Sequence, residues 1–182
     1  VSDFILALSP DIIALQEISD QYSFDSLIES LGDGWVGYRN NTDYQELSYI
    51  INLNQINLLA QPYTILDEYE YYFAYRPPYV LSIEFNDEIF FIIDIHLKCC
   101  DGSEERRTAS AQYLKDYVDT YHHNDNIIIL GDFNCAPDSP EYELMVGAIS
   151  PYGGRVTHPL GFVDSWEKCS DGSIKGFTSE VK

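Results

Sequence analysis

The chain has 182 residues, of which 45% are hydrophobic, and this length and composition predict one domain with a sizeable buried core. Its 30 acidic residues outnumber its 10 basic residues and give a formal net charge of -20, which argues against a protein that grips nucleic acid through a broad basic face. An acidic enzyme can still approach phosphates through a bound cation, because the ion reverses the local field. No apolar run approaches the roughly 20 residues of a membrane span, and no stable protein partner is predicted.

The first part of the chain alternates short helices and strands. Apolar residues at helical spacing predict a helix over 1–8, which has no start signal before it, and a second helix over 24–31, which Gly32 and Gly34 end. Short apolar runs predict five strands, at 11–17, 35–38, 47–53, 56–59 and 63–66.

The second part predicts a hairpin, a crossover helix and one more strand. Residues 79–85 and 88–96 form the hairpin across an Asn-Asp turn, and a long amphipathic helix follows over 103–121. The four aliphatic residues 127–130 predict a strand buried on both faces. Further ordered pieces are predicted at 137–149 (a helix), 162–166 and 176–179.

Three of the predicted strands end in polar side chains. Glu17 follows the first apolar run, His96 follows the second hairpin strand, and Asp132 and Asn134 follow the aliphatic run. If the strand ends are aligned, these groups meet at one rim and form a metal-plus-acid/base constellation. The alternative for Asp132 and Asn134 alone is an Asx-rich turn that closes a strand after Gly131.

Two further features lie between the strands. Residues 68–75 are crowded with Tyr and acid, which is typical either of a stacking platform for bases or sugars or of the amphipathic edge of a core. Arg76 is followed by two prolines, which fix the backbone near its guanidinium. Arg76 is either a functional cation held in place by this backbone or an ordinary surface charge.

The four cysteines, Cys99, Cys100, Cys135 and Cys169, lack the CxxC pairs of a zinc site. Cys99 and Cys100 are adjacent, so a bond between them would strain the peptide that joins them. A disulfide from Cys135 to Cys99 or Cys100 is therefore favoured, with free thiols as the alternative. An even cysteine count in an acidic, Tyr-rich chain indicates a secreted or periplasmic protein.

Four motifs together carry a family resemblance. PDIIALQE, the RPP that begins at Arg76, IDIHLK and ILGDFN, in this order and spacing, resemble the endonuclease/exonuclease/phosphatase superfamily, the deoxyribonuclease I-like proteins. The HLKCCDG stretch, with two arginines after it, resembles a secreted bacterial branch. The resemblance implies an α/β four-layer sandwich of two mainly antiparallel sheets flanked by helices. It also implies hydrolysis of phosphodiesters or phosphomonoesters with Mg²⁺ or Mn²⁺.

The same resemblance assigns roles to individual residues. Glu17 matches the metal-ligand glutamate, and His96 matches the histidine that acts on the leaving oxygen. Asp132 and Asn134 match the pair that orients the nucleophile and holds the phosphate. Arg76 matches an arginine that faces the substrate backbone.

A further part of the family pattern is weaker or missing. Tyr44 and Glu46 resemble a Tyr-x-Glu in which the Tyr touches DNA and the Glu pairs with the catalytic histidine. The family's first strand, which carries an Asn, has no match before Val1, and its last strands, which carry a second carboxylate and the histidine that activates water, have no match after Thr178. The prediction is a single domain over 1–182 that is truncated at both ends and impaired.

The resemblance favours an endonuclease that hydrolyses DNA or RNA. Sphingomyelin and inositol phosphates are alternative substrates within the same fold. A non-catalytic binding module and a structural surface protein are alternatives from other classes, and the latter requires polar strand ends scattered over the surface instead of gathered at one rim.

Overall fold

The computed structural model describes residues 1–42, 44–136 and 139–146. The predicted helices and strands of this part are confirmed, with small shifts at their ends. The short pieces predicted at 162–166 and 176–179 lie outside the described residues. The helices are α1 (Ser2–Leu8), α2 (Gln21–Leu31), α3 (Glu104–Tyr121) and α4 (Pro140–Val146); the strands are β1 (Ile12–Ile18), β2 (Trp35–Arg39), β3 (Glu46–Asn52), β4 (Asn57–Leu58), β5 (Tyr63–Thr64), β6 (Tyr79–Phe85), β7 (Glu88–His96) and β8 (Asn126–Asp132).

The first sheet has three antiparallel strands in the order β1-β3-β2. Strand β3 lies in the middle and is buried along almost its whole length. Its pairing with β1 is regular until a bulge between Leu15 and Ile18, just before β1 ends. Bulges re-aim side chains next to them, so this irregularity lies where the sequence places Glu17.

The second sheet runs β4-β6-β7-β8, and β5 also pairs with β6. The β6–β7 hairpin turns at Asn86 and Asp87, both with positive φ (53° and 62°), as a tight two-residue turn requires. Strand β8 pairs with β7 in parallel, and α3 provides the crossover between them. The carboxyl ends of β7 and β8 therefore lie side by side.

The layers are helix, sheet, sheet, helix, which confirms the predicted four-layer sandwich. The two sheets bury a shared core, in which the Tyr49 hydroxyl lies 2.9 Å from the carbonyl oxygen of Tyr79 on the opposite sheet. Helices α1 and α2 cover the first sheet around Ile50. Helices α3 and α4 cover the second sheet around Ile95. Each sheet therefore has apolar side chains on both faces.

One prediction about β8 is wrong. This strand is not buried on both faces, because Ile128 is 45% exposed and much of the strand is only half-buried. Within the described residues β8 pairs only with β7, so its other edge is open. The aliphatic run indicates a strand correctly, but it does not indicate how many neighbours that strand has.

None of the helices in the described part of the chain combines the length and apolar character that crossing a bilayer requires. The single-domain boundary and the truncation at both ends stay predictions.

Candidate active site

The core of the site is the pair of strand ends β7 and β8. His96 and Asp132 are partners in the parallel register, and both are the last residues of their strands. His96 Nε2 lies 3.8 Å from Asp132 Oδ2. The imidazole is almost fully buried, with 4% of its side chain exposed, whereas 51% of the Asp132 side chain is exposed. The parallel pairing thus places a buried base beside an open carboxylate.

The first sheet contributes Glu17 from the other side. Its backbone is left-handed (φ 62°) and lies within the bulge in β1, which turns the side chain toward the second sheet. Glu17 Oε1 lies 3.8 Å from His96 Nε2, and 60% of the Glu17 side chain is exposed. The same nitrogen of His96 is therefore approached by two carboxylates, Glu17 from the first sheet and Asp132 from the second sheet.

Asn134 is held by the turn that follows β8. Its backbone N–H donates to Asp132 Oδ1 at 2.9 Å, and its side-chain Nδ2 donates to the carbonyl oxygen of Leu97 at 2.9 Å. The turn is therefore an Asx turn, as the simpler sequence interpretation had it, and it also brings the Asn134 amide to the rim. The structural and functional interpretations of this pair are compatible.

Arg76 joins the group through a residue that the sequence analysis did not select. Its guanidinium is buried, and Nη1 donates to Gln45 Oε1 in a short hydrogen bond. Gln45 Nε2 in turn donates to Glu17 Oε1 at 3.1 Å. Gln45 thus connects the cation to the carboxylate. Only its position between Tyr44 and Glu46 could have suggested it, because its left-handed backbone (φ 50°) has no sequence signal.

The expected pairing of Glu46 with His96 is wrong. Glu46 makes a short ion pair with Arg39 on the neighbouring strand β2. In the described part of the chain, His96 Nδ1 is buried and has no hydrogen-bond partner. The reason is local: Arg39 is a closer charged partner, and the left-handed Gln45 changes the direction of the chain just before β3. Tyr44 is exposed at this turn.

The pKa of His96 is lowered from its ordinary value. Burial is the main cause, the positive charge of Arg76 adds to it, and Asp132 and Glu17 oppose it. The two carboxylates lie 3.8 Å away, which is too far for a strong hydrogen bond, so burial prevails. The free protein therefore carries a neutral imidazole at neutral pH.

A buried acid, Asp94, lies beneath the site. Asp94 is buried, which raises its pKa to about 8, although a hydrogen bond from Gln16 Nε2 (2.7 Å) opposes the shift. This bond ties β1 to β7 beneath the three polar strand ends. Gly131, with φ 121°, faces the pair: an added Cβ would overlap the carbonyl oxygen of Ile95 and crowd Asp94 Oδ1. Gln16 and Asp94 were not selected from the sequence.

The expected disulfide is also wrong. Cys99, Cys100 and Cys135 are free thiols, and Cys169 lies outside the described residues. The disulfide therefore no longer supports a secreted or periplasmic location, which stays a prediction.

The carboxylates of the site suit a hard divalent cation that keeps part of its water shell. In the described ranges, no three or more His, Cys, Asp and Glu side chains are arranged to hold a metal ion. Mg²⁺ does not require such a cage, because it keeps several waters and binds proteins through one or two carboxylates. Glu17 and Asp132 are two exposed carboxylates, each with one oxygen 3.8 Å from the same imidazole nitrogen. Their chemistry is compatible with Mg²⁺ or Mn²⁺.

Comparison with known proteins gives a family and a fold. The model of the Endonuclease/Exonuclease/phosphatase family matches residues 1–163. No curated protein sequence matches the chain.

Three solved structures illustrate the fold similarity. D. rerio TDP2 complexed with single-strand DNA product has 13% identity and a TM-score of 0.62, over 75% of this chain and 53% of that chain. An endonuclease/exonuclease/phosphatase family protein from Bacteroides thetaiotaomicron has 14% identity and a TM-score of 0.63, over 81% and 58%. ANGEL2, described as a 2',3'-cyclic phosphatase, has 19% identity and a TM-score of 0.58, over 80% and 46%. The chain thus spans about half the length of these structures, and the likeness concerns the fold.

Proposed function

Because the chain belongs to the endonuclease/exonuclease/phosphatase family, we propose that it takes part in metal-dependent hydrolysis of phosphoric esters, with a nucleic-acid phosphodiester, DNA before RNA, as the substrate. The observation that carries the proposal is the meeting of Glu17, His96 and Asp132, with both carboxylates 3.8 Å from one buried imidazole nitrogen. Carboxylates alone would repel a phosphate. The proposal therefore requires a cation at the site.

Glu17 is the proposed ligand of Mg²⁺ or Mn²⁺, and Asp132 approaches the same nitrogen of His96 as Glu17 does. When bound, the ion would offset negative charge on the phosphate oxygens. The hydrogen bond from Gln45 to Glu17 Oε1 fixes one carboxylate oxygen, which is the kind of support that orients metal ligands in proteins.

His96 is the proposed partner of the leaving oxygen. Its neutral imidazole can donate one hydrogen bond, and a bound phosphate raises its pKa because negative charge favours the protonated ring. Arg76 is proposed to bind the phosphate, since Gln45 holds its buried guanidinium beside Glu17. Asp132 and Asn134 are proposed to orient water and phosphate at the end of β8.

Nucleic acid is favoured over other phosphoric esters by a group of side chains next to Arg76. Tyr71 and Tyr75 are both exposed, and Tyr75 directly precedes Arg76. The guanidinium of Arg106 lies 4.1 Å from the Tyr71 ring centre and 5.7 Å from the Tyr75 ring centre. Such exposed flat groups suit stacking on bases that flank a phosphate. The TDP2 structure contains a single-strand DNA product.

The central test is cleavage of supercoiled plasmid with Mg²⁺. We expect His96→Ala to lower the rate by about 10²–10⁴-fold, the usual contribution of an acid–base group. His123→Ala is the matched control, because His123 is exposed and bonds only its neighbour Asn124 among the contacts of the described residues. Equal cleavage by the wild type and His96→Ala would contradict the role of His96.

Three further arms separate the alternatives. The variants are assayed in this chain and in a version that also carries the terminal strands of the family pattern, in which the resemblance implies the group that activates water. If sphingomyelin or an inositol phosphate is hydrolysed and plasmid is not, the substrate is one of these other phosphoric esters. Calorimetric titration with Mg²⁺, compared between the wild type and Glu17→Gln, tests the cation site directly. Absence of Mg²⁺ binding would revive the non-catalytic binding module.

A further inference from the structure

Two adjacent thiols lie in the loop that leaves the site. Two residues separate β7 from Cys99 and Cys100, and their Sγ atoms are 2.6 Å apart. Both are free thiols, so the two side chains face each other without the roughly 2.05 Å bond of a disulfide. Cys100 has a left-handed backbone (φ 79°), which is uncommon for a residue other than glycine. The backbone therefore brings together two side chains whose adjacency in sequence would ordinarily separate them.

A buried ion pair holds this loop in place. Arg107 Nη1 donates to the carbonyl oxygens of Lys98 (3.0 Å) and Cys100 (3.3 Å). Its Nε donates to Glu141 Oε1 at 2.7 Å, and both of these charged side chains are buried. The arrangement of the two thiols is thus fixed by the packing of α3 and α4 and is not a feature of a free loop.

The two thiols are chemically unequal. The pKa of Cys99 is lowered, first by the hydrogen bond from the Cys100 thiol and then by the positive charges of Lys98 and Arg76. Lys98 Nζ lies 3.9 Å from Cys99 Sγ. The pKa of Cys100 is raised by the same hydrogen bond. Because the thiolate is the nucleophile in disulfide exchange, Cys99 is suited to attack and Cys100 to follow.

We propose that Cys99 and Cys100 form a reversible modification site that reacts with small organic disulfides and closes into a vicinal disulfide. The Cys99 thiolate attacks one sulfur of RS–SR, which gives a mixed disulfide and releases RS⁻. Cys100 then loses its proton and attacks the Cys99 sulfur, which releases the second RS⁻. In sum, RS–SR and two thiols give one protein disulfide and two RSH, so the cysteines are oxidised and the small disulfide is reduced.

The ring is expected to be labile. Two adjacent residues cannot reach the usual Cα separation of a disulfide, and strained or exposed disulfides are the ones that are reduced easily. Closure also removes the ionisable Cys99 thiol from the neighbourhood of Lys98 and Arg76, so that it no longer competes with a phosphate for the Arg76 charge. That consequence rests on the proposed hydrolysis, whereas the reaction of the pair does not.

Peptide mass spectrometry tests the reaction without an activity assay. The folded chain is treated with hydroxyethyl disulfide, the remaining thiols are alkylated, and the protein is digested with trypsin. Cleavage after Lys98 and Arg106 gives peptide 99–106, which contains Cys99 and Cys100 and no other cysteine. We expect this peptide to be unalkylated and lighter by two hydrogen atoms, and mild dithiothreitol to restore both alkylated sites.

Matched variants and an unfolded control make the result decisive. Cys100→Ser should stop at a stable mixed disulfide on Cys99, and Cys135→Ser should behave as the wild type. Ring closure should be several-fold faster in the folded chain than in the same chain in guanidinium. Peptide 99–106 cross-linked to the Cys135 or Cys169 peptide, full alkylation of both thiols after treatment, or equal closure rates in the folded and unfolded chains would each overturn the proposal.

Discussion

The two sides of the candidate site are held by different kinds of backbone. His96 and Asp132 end two regular parallel strands, and their register alone makes them neighbours. Gln45 lies in the irregular turn just before β3 and has a left-handed backbone, and Glu46 is the first residue of β3. On the first side the polar groups lie where strand geometry predicts them. On the second side Gln45 makes the contacts to the site, and Glu46 pairs with Arg39 instead.

The difference indicates which part of the site is rigid before any ligand binds. The regular side is supported by the buried pair Gln16–Asp94 and by the close approach of Gly131 to β7. The irregular side depends on a short chain of hydrogen bonds from Arg76 through Gln45 to Glu17. Damage to the first side should affect folding, whereas damage to the second should affect ligand binding.

The largest effect is expected from Gly131→Ala. The new Cβ would overlap the carbonyl oxygen of Ile95, and φ of 121° is unfavourable for any residue with a side chain. We expect the free energy of unfolding to fall by about 3 kcal/mol, measured by denaturant titration. Gly102→Ala is the control: it also has positive φ (81°) but no atom within 4 Å, so about 1 kcal/mol is expected. Equal losses would mean that close strand approach is unimportant.

Asp94→Asn should give the next largest effect, and it should depend on pH. The native carboxyl keeps its proton up to its pKa of about 8. An unfolded Asp loses that proton near pH 3.9, so between the two values the native state binds more protons and the wild type loses stability as pH rises. Asn cannot ionise and can still accept the hydrogen bond from Gln16. We therefore expect the free energy of unfolding of Asp94→Asn, taken relative to that of the wild type, to rise by on the order of 3 kcal/mol from about pH 5 to about pH 8.

The measurement for Asp94→Asn is the difference between the two proteins at each pH. This difference cancels the many other carboxyl groups, which titrate in both. A difference that stays constant from acid to neutral pH would show that Asp94 is ionised in the native state.

Gln45→Ala tests the irregular side. The change removes the bridge between Arg76 and Glu17, and the loss of such a support typically weakens metal binding by 10-fold or more. We expect a Mg²⁺ affinity about tenfold weaker, measured by calorimetry. Because the buried guanidinium of Arg76 also loses a hydrogen-bond partner, the free energy of unfolding should fall by about 1–3 kcal/mol. Gln55→Ala, in an exposed turn, is the matched control. A large loss of stability without loss of Mg²⁺ binding would assign Gln45 a purely structural role.

The sequence predicted the fold and the regular side of the site for a physical reason. Apolar runs define strands, and polar residues directly after them lie at a sheet edge, so His96 and Asp132 could be placed side by side and Glu17 at a strand end without coordinates. The four-layer arrangement came from the resemblance, since an apolar run cannot specify its neighbours. This is also why β8 was expected to be buried although Ile128 is exposed.

The remaining features depend on backbone irregularities that single residues do not signal. The left-handed conformation of Gln45 and the bulge that contains Glu17 decide which side chains face the site. Glu46 illustrates the limit: its type and spacing fit a partner for His96, but a nearby guanidinium on β2 pairs with it instead. Cys100 is a second case, because its positive φ brings together two thiols that ordinary geometry would keep apart.

The smallest effect concerns the pKa of His96 and separates the two sides of the site most sharply. The charge of Arg76 lowers this pKa, so Arg76→Gln should raise it, measured by NMR titration of the imidazole in the presence of a chelator. Glu46→Gln should leave it unchanged, because Glu46 is paired with Arg39. Retained circular dichroism checks that both variants fold. A clear fall of the His96 pKa in Glu46→Gln would mean that Glu46 does act on the imidazole in solution, and the irregular turn would then contribute to the site as the family resemblance implies.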